Sequence, residues 1–421
     1  MKKNILIIGN NLGAESFAKI FCKDFNVFIT SGNKKLSDIA TCIDIRSNNI
    51  VELLDFALEN DISMVIPTSK DILESNIAKV FAENNIPILA PKAETAALLF
   101  NKTNSKKLMY KLKIPTPRFG IFEKLNLMLD YLKRSEYPVV IKTNEKSSAT
   151  ILPSYSVAKS FLESFFNNTT QKVLIEDYVN GTPFAFYVLT DGYKALPLGS
   201  SLLYKHSLNG DGGQLTTGMG ACVPNYKLSD KNIDFIMERI IYPVLEHLQI
   251  IGEPYLGILG INGILSDDNL SIIDFTPIMS DCDSTSILQS IDDNLYKLFE
   301  SCILGTFSDD VDFIKTKDYF YATLSLHCNN KMNSNNIING LEEIEEDTML
   351  EFYPNINKNR YLEYIAENGA VVNIITQGRT VTSAVKKAYE SAKKYKNKAV
   401  KPEKRNTKKS FMTKVLETQN R

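Results

Sequence analysis

The sequence predicts a multidomain α/β and α+β protein, with a doubly wound α/β domain first, a larger α+β module next and a small C-terminal α+β unit last. Three observations carry this. A chain of 421 residues is longer than one hydrophobic core organises. Residues 4 to 100 alternate short β-branched runs with helix-length amphipathic segments, the pattern of a parallel sheet with crossover helices. After them come longer strands joined by hairpin signals, which antiparallel groups require.

The elements follow in order. NILIIG, VFIT, SMVIP and PILAP read as buried parallel strands. Between them a helix begins near Ala14, and IVELLDFALEN and DILESNIAKVFAENN supply two more. KTNSKKLMYKLK continues as a helix and stops at IPTPRF, where two prolines force an extended connector. PVVIK, KVLIEDY, PFAFYVLTDGYKALPL and YLGILGINGILSDDNLSIIDF read as strands, the last two folded back at Asp191-Gly192 and Asp267-Asp268. Helices over 154–166 and 230–248 cover them. YATLSLH and AVVNIITQG, with a helix from Ser383, make the last unit. The domains are therefore set at 1–101, 102–310 and 318–395. Residues 396–421 are lysine-rich without apolar periodicity and read as a solvated tail.

Composition narrows the function classes. The chain is 44% hydrophobic and 23% charged with a net charge of -1, so no global field favours nucleic acid or a membrane surface. The apolar run in MKKNILIIGNN is too short for a secretory signal and reads as a first strand. No apolar stretch approaches the roughly 20 residues of a membrane span. The six cysteines and three histidines show no metal-binding spacing, which implies reduced thiols in a cytoplasmic protein.

Chemistry concentrates in three stretches. In YPVVIKTNEKSSATIL a strand delivers Lys142 to a polar turn, a phosphate-site pattern whose turn holds no glycine. In SIIDFTPIMSDCDST, strand alternation puts Asp274 and Thr276 on one face and Phe275 on the other. A carboxylate and a hydroxyl so placed can share a Mg2+ ion, which takes few protein ligands besides phosphate and water. From this segment alone, a sheet edge ending in a polar turn is the preferred reading. YKHSLNGDGGQLTTGMGACVP reads as a glycine-rich loop whose backbone N–H groups can nest an anion, with Lys205 at its entrance. A long surface loop is the alternative.

The order of these parts is more informative than any one of them. An α/β domain, Lys102, the strand lysine Lys142, IEDYVNG, TTGMGACVP and IIDF succeed one another at spacings that resemble the phosphoribosylamine–glycine ligase family of the ATP-grasp superfamily. The resemblance extends over nearly the whole chain, through GLEEI and AVVNIITQGRTVTSAVKKAYE, and TGMGACVP is its most specific element. It implies a pre-ATP-grasp N-terminal domain, an ATP-grasp module, and ATP with Mg2+, or Mn2+ in its place. It implies glycine and phosphoribosylamine as substrates, no nucleic-acid or membrane partner, and a monomer or homodimer.

Residue by residue, the resemblance assigns Lys102 and Lys142 to ATP phosphates. It assigns the backbone of Glu176, Asp177 and Val179, around Tyr178, to the adenine edge. Asp274 and Thr276 stand where the family carries its metal-binding glutamate and asparagine, and Lys205 and Asp274 are the catalytic candidates. Thr216, Thr217, Gly218, Met219 and Gly220 fall in the substrate segment. The departures are definite. The family's glycine-rich lid corresponds to Thr143 through Ile151, with no glycine; its ribose-binding acid falls at Pro183, a substrate-segment aspartate at Leu203, and a substrate arginine at Ile278. The usual second and third glycines near the N-terminus are Asn11 and Leu12, followed by Gly13, Ala14 and Glu15, and His206 falls where the family has arginine. A ligase is the favoured reading. A nucleotide-binding paralogue with little or no ligase activity, regulatory or partner-binding, is its alternative, and a purely structural or interaction protein that has lost nucleotide too comes third.

Overall fold

The computed structural model describes residues 2–30, 36–143, 149–166, 172–208, 212–267, 269–307, 313–328, 336–338, 348–353, 356–358, 364–366 and 369–394. The N-terminal residues form a four-stranded parallel sheet in the order Thr41–Cys42, Asn26–Ile29, Asn4–Ile8, Ile62–Pro67. Its strands are apolar on both faces because helices cover both, as in Ile5, Leu6, Ile7 and Ile8, all fully buried. The strand order reverses between Asn4–Ile8 and Ile62–Pro67, which opens a crevice at their carboxyl ends. The helix Leu12–Phe21 starts two residues ahead of the position expected, because the Asn11 side chain accepts from the Ala14 N–H at 3.0 Å and caps it.

A second sheet is small and antiparallel, in the order Phe119–Phe122, Val173–Asp177, Val139–Thr143, Thr150–Leu152. The side chains of Val139, Ile141, Val173 and Ile175 pack with Met128, Leu132, Ala158 and Leu162 of its two helices. Alternation then turns Lys142, Leu174 and Glu176 to the opposite face. That face is what the rest of the site is built on.

The third sheet has eight antiparallel strands: Asn269–Thr276, Gly257–Ser266, Thr182–Thr190, Ala195–Leu208, Gly212–Val223, Phe320–Cys328, Gly369–Gly378 and Thr348–Phe352. The hairpin expected at Asp191-Gly192 is present, with Gly192 at φ +97°. The one at Asp267-Asp268 joins paired strands, although Asp268 lies outside the described residues. The strands Phe320–Cys328, Gly369–Gly378 and Thr348–Phe352 continue the same sheet, while Asn336–Ile338, Tyr364–Ala366 and Ile356–Lys358 form a separate three-stranded one. The helix Val381–Lys394, which begins two residues before Ser383, packs on the large sheet. One face of the sheet buries Phe184, Phe186, Val188 and Phe275 against the helices Ala93–Phe100, Lys102–Lys111 and 230–250. The other face packs Tyr187, Leu189 and Leu196 against Phe17 and Phe21 of the first helix. Lys19 donates to Glu15 at 2.7 Å and to the Leu350 carbonyl at 2.5 Å, tying that helix to the last strand of the sheet.

One expectation is corrected here. Residues 204–208 and 212–223 are strand rather than loop: Gly212–Val223 pairs with Ala195–Leu208 on one side and Phe320–Cys328 on the other. Gly218 and Gly220 serve close packing rather than an anion nest. A Cβ at Gly218, whose φ is +157°, would run into Cys282 Sγ, and one at Gly220 would lie 2.5 Å from the Thr323 carbonyl oxygen.

Candidate active site

The helix Lys102–Lys111 lies between the small and the large sheets. Its first residues are fixed by Asn101, whose side chain accepts from the N–H groups of Thr103 and Asn104, each at 3.1 Å. Lys102 and Lys106, four residues apart, share one stripe of the helix. Lys102 donates to the Thr143 carbonyl at 2.8 Å, where the small sheet's lysine strand ends. Lys106 is 1% exposed and pairs with Glu176 Oε1 at 2.6 Å, and it also donates to the Thr116 hydroxyl and to the Ile272 carbonyl at 3.3 Å. The other carboxylate oxygen of Glu176 holds Lys142.

The electrostatics of these groups are coupled. Burial first, then the charge of Lys142, lowers the Lys102 pKa to about 8, while Asp274 and Glu176 act against that shift. Burial also lowers Lys106, opposed by Glu176. For Glu176 burial alone would raise the pKa, but Lys142 and Lys106 together outweigh it and hold the carboxylate below its ordinary value. Lys102, far in sequence from Lys142 and Asp274, thus lies near enough to both to feel their charges.

On the large sheet's side, Asp274 and Thr276 share a face as alternation requires, and Phe275 enters the core. Asn262, across the hairpin from Asp274, donates from Nδ2 to Asp274 Oδ1 at 2.7 Å. The Thr276 hydroxyl donates to the Ile278 carbonyl at 2.8 Å and accepts from the Ile278 N–H at 3.3 Å, so it closes a local turn. A carboxylate, an amide and a hydroxyl make an all-oxygen donor set, which suits a hard divalent cation. Asn262 escaped the sequence reading because nothing in NGILS marks the hairpin register that sets it opposite Asp274.

Glu176 plays a different part from the one expected. Its backbone lies inside the small sheet, between Phe119 and Val140, and it is the side chain that reaches the cleft. Asp177 ends the strand, its N–H bonded to the Arg118 carbonyl at 2.9 Å and its carboxylate to Arg118 Nε at 3.0 Å. Tyr178 and Val179 lie just past the paired residues, half-buried. Lys106 was missed in the sequence because KTNSKKLMYKLK carries several lysines, and only the i, i+4 spacing from Lys102 marks the inward one.

Lys205 belongs to a neighbouring group. Asp283 is fully buried and takes hydrogen bonds from Ser201 at 2.6 Å and Tyr187 at 3.2 Å. Burial raises its pKa to about 6, and those two hydroxyls and the charge of Lys205 act against the rise. The Thr216 hydroxyl donates to the Lys205 carbonyl at 2.9 Å. Met219 is half-buried and Gly218 and Gly220 are buried in the adjoining strand; the Thr217 side chain lies outside the described residues, as do residues 144–148 of the turn after Lys142. The crevice of the N-terminal sheet is bridged by Asn11, whose Nδ2 donates to the Thr68 carbonyl at 2.5 Å. Gly13, Thr68, Leu73, Ile258, Ile278 and Met279 line it.

Two sheets closing on a cleft of lysines and carboxylates, with a small antiparallel lobe over a large one, define the ATP-grasp class of proteins. The phosphoribosylglycinamide synthetase N domain matches residues 3–98, and that family's ATP-grasp (A) domain matches residues 100–284. The chain belongs to the phosphoribosylglycinamide synthetase family. It is 24% identical over 400 residues to the phosphoribosylamine–glycine ligase of Lactococcus lactis, covering 93% of this chain and 96% of that one. To the enzyme of the same name from Thermococcus kodakarensis it is 28% identical over 319 residues, 72% of this chain and 73% of that one. The fold is similar to the crystal structure of the Thermotoga maritima phosphoribosylamine–glycine ligase, with a TM-score of 0.77 at 18% identity over 94% of this chain and 98% of that one. It is also similar to the biotin carboxylase domain of the Hydrogenobacter thermophilus 2-oxoglutarate carboxylase, solved with MgADP, at a TM-score of 0.71 and 16% identity over 95% and 92%.

Proposed function

We propose that this chain is an ATP-dependent carboxylate–amine ligase that joins glycine to phosphoribosylamine, giving glycinamide ribonucleotide, ADP and phosphate. The observation that carries the reading is that Lys102 feels the charges of Lys142 and Asp274, with Lys142 fixed by Glu176. Family membership and the names of the similar ligases support it.

In this reading the nucleotide lies between the sheets, its base edge against the backbone beyond Asp177 and its phosphates toward Lys102 and Lys142. A carboxylate oxygen of glycine attacks the γ-phosphorus and ADP leaves, forming an acyl phosphate. The amine then attacks the acyl carbon and phosphate departs. Charge develops on the transferring phosphoryl group, so fixed ammonium groups in a partly dry cleft stabilise it most. Mg2+, or Mn2+ in its place, would be held by Asp274 with Asn262 and Thr276 beside it, and would offset phosphate charge when bound. Lys205 and the strand from Thr216 through Thr217, Gly218, Met219 and Gly220 face the acid and amine. Among the described residues the free cysteines Cys22, Cys42, Cys222, Cys282 and Cys302 fit a reducing, cytoplasmic setting, and no helix there is long and apolar enough to cross a membrane.

The test is ADP release from purified protein given Mg-ATP, glycine and freshly generated phosphoribosylamine. Release that requires all three establishes the ligase. No release, with an ATP-dependent thermal shift retained, replaces it with nucleotide binding alone.

A further inference from the structure

Lys106 cannot touch a nucleotide. It is 1% exposed, and its ammonium is enclosed by Glu176 Oε1, the Thr116 hydroxyl and the Ile272 carbonyl. A buried ammonium persists only where it is paired, and the partner here is shared, since Glu176 also holds Lys142. Two ammonium groups on one carboxylate leave one unit of positive charge. Lys102 and Asp274 add one charge of each sign beside them, and Lys70, which also acts on Lys102, is offset by Glu74 at 3.4 Å.

We propose that Lys106 is a positioning residue of the nucleotide site: it neutralises one oxygen of Glu176, so that the other can fix Lys142 in place without cancelling its charge toward the polyphosphate. The inference rests on the nucleotide-binding reading above. Without Lys106, Glu176 and Lys142 form a closed neutral pair, held in the same place but with no net charge to offer. Lys106→Met is a clean probe, because the Thr116 hydroxyl already donates to the Ile272 carbonyl at 2.7 Å and both keep a partner.

The experiment is calorimetric titration with ATP and, separately, with adenosine. In Lys106→Met, ATP affinity should fall by about tenfold or more while adenosine affinity stays within about twofold. The double variant Lys106→Met with Glu176→Gln, which leaves Lys142 as the single charge, should return ATP affinity to within about threefold of the wild type. Equal losses for ATP and adenosine, an unchanged ATP affinity in a folded Lys106→Met, or a double variant with no recovery each overturns the role. Should Lys106→Met fail to fold, the double variant decides alone, since it removes Lys106 and Glu176 together and leaves one ammonium, Lys142, where Glu176→Gln by itself leaves two. Wild-type protein that binds no ATP would instead overturn the nucleotide reading beneath it.

Discussion

The ammonium of Lys142 and the carboxylate of Glu176 meet diagonally across neighbouring strands, Glu176 lying two residues beyond Leu174, the pairing partner of Lys142. Both are nearly fully buried. Such a pair is weak support for stability but strong support for geometry, because each partner is costly to strand alone. Removing the lysine while keeping the fold should therefore read out on ligand. In Lys142→Met, Glu176 keeps Lys106, and ATP binding should weaken by about 1 to 3 kcal/mol. Titration calorimetry checks this; unchanged affinity in a folded variant would show that the lysine serves the sheet alone.

Glu176→Gln tests the other side of the same relationship. It leaves Lys106 and Lys142 facing each other without a counter-charge, and breaking a buried pair in this way typically costs about 3 to 5 kcal/mol. Thermal or urea denaturation should show a markedly lower midpoint. A midpoint equal to wild type would mean that water already reaches the two ammonium groups.

The strands that carry Lys142, Asp274 and Thr276 were legible from the sequence. Lys142 ends an apolar strand, Asp274 and Thr276 alternate with Phe275, and the strand readings around them are present in the fold. What stayed hidden depends on packing across elements. Whether Lys106 or Lys107 turns inward is set by how the helix seats against the Ile272 strand, and beyond the weak i, i+4 spacing from Lys102 it is the fold that shows Lys106 buried and Lys107 exposed. The glycines of 212–220 were misread for a related reason. A high glycine count suggests a loop, yet at Gly218 and Gly220 it reflects neighbours, Cys282 and Thr323, that come from elsewhere in the chain.

Asp274 is held by the Asn262 amide at one oxygen, which leaves its charge intact and its orientation fixed. Asp274→Asn removes the only charge in the proposed cation donor set. ATP affinity measured with and without Mg2+ should then differ far less than in the wild type. A variant with the full Mg2+ response would move the cation elsewhere.

Lys102 offers a pH test with a definite sign. Its pKa is lowered from 10.5 to about 8 in the folded protein, by burial first and by Lys142 second. Between about pH 8 and 10.5 the unfolded chain holds more protons at this residue than the folded one, so this group's contribution to stability rises with pH across that window. Nucleotide affinity should move the other way, falling as pH climbs through 8 and the ammonium is lost. Titrations at pH 7 and pH 9 measure it, and in Lys102→Met that part of the pH dependence should vanish.

Asp283 gives the opposite case. Its pKa is raised from 3.8 to about 6 because burial penalises the carboxylate more than Ser201, Tyr187 and Lys205 support it. A folded state that binds the proton more tightly gains stability below pH 3.8, and that gain is lost as pH rises to about 6. Above that range the ionised group opposes folding. Asp283→Asn keeps an oxygen for the Ser201 hydroxyl and carries no charge, so at pH 7 it should be more stable than wild type by on the order of 2 kcal/mol. The difference between the two proteins should shrink as pH falls from 6 toward 4. Urea denaturation across that range checks it, and a difference independent of pH would show that Asp283 titrates normally. Ligase activity separates structure from chemistry at the same residue: if Lys205 is oriented for substrate by this buried charge, the stabilised Asp283→Asn variant should be slower at pH 7 despite its firmer fold.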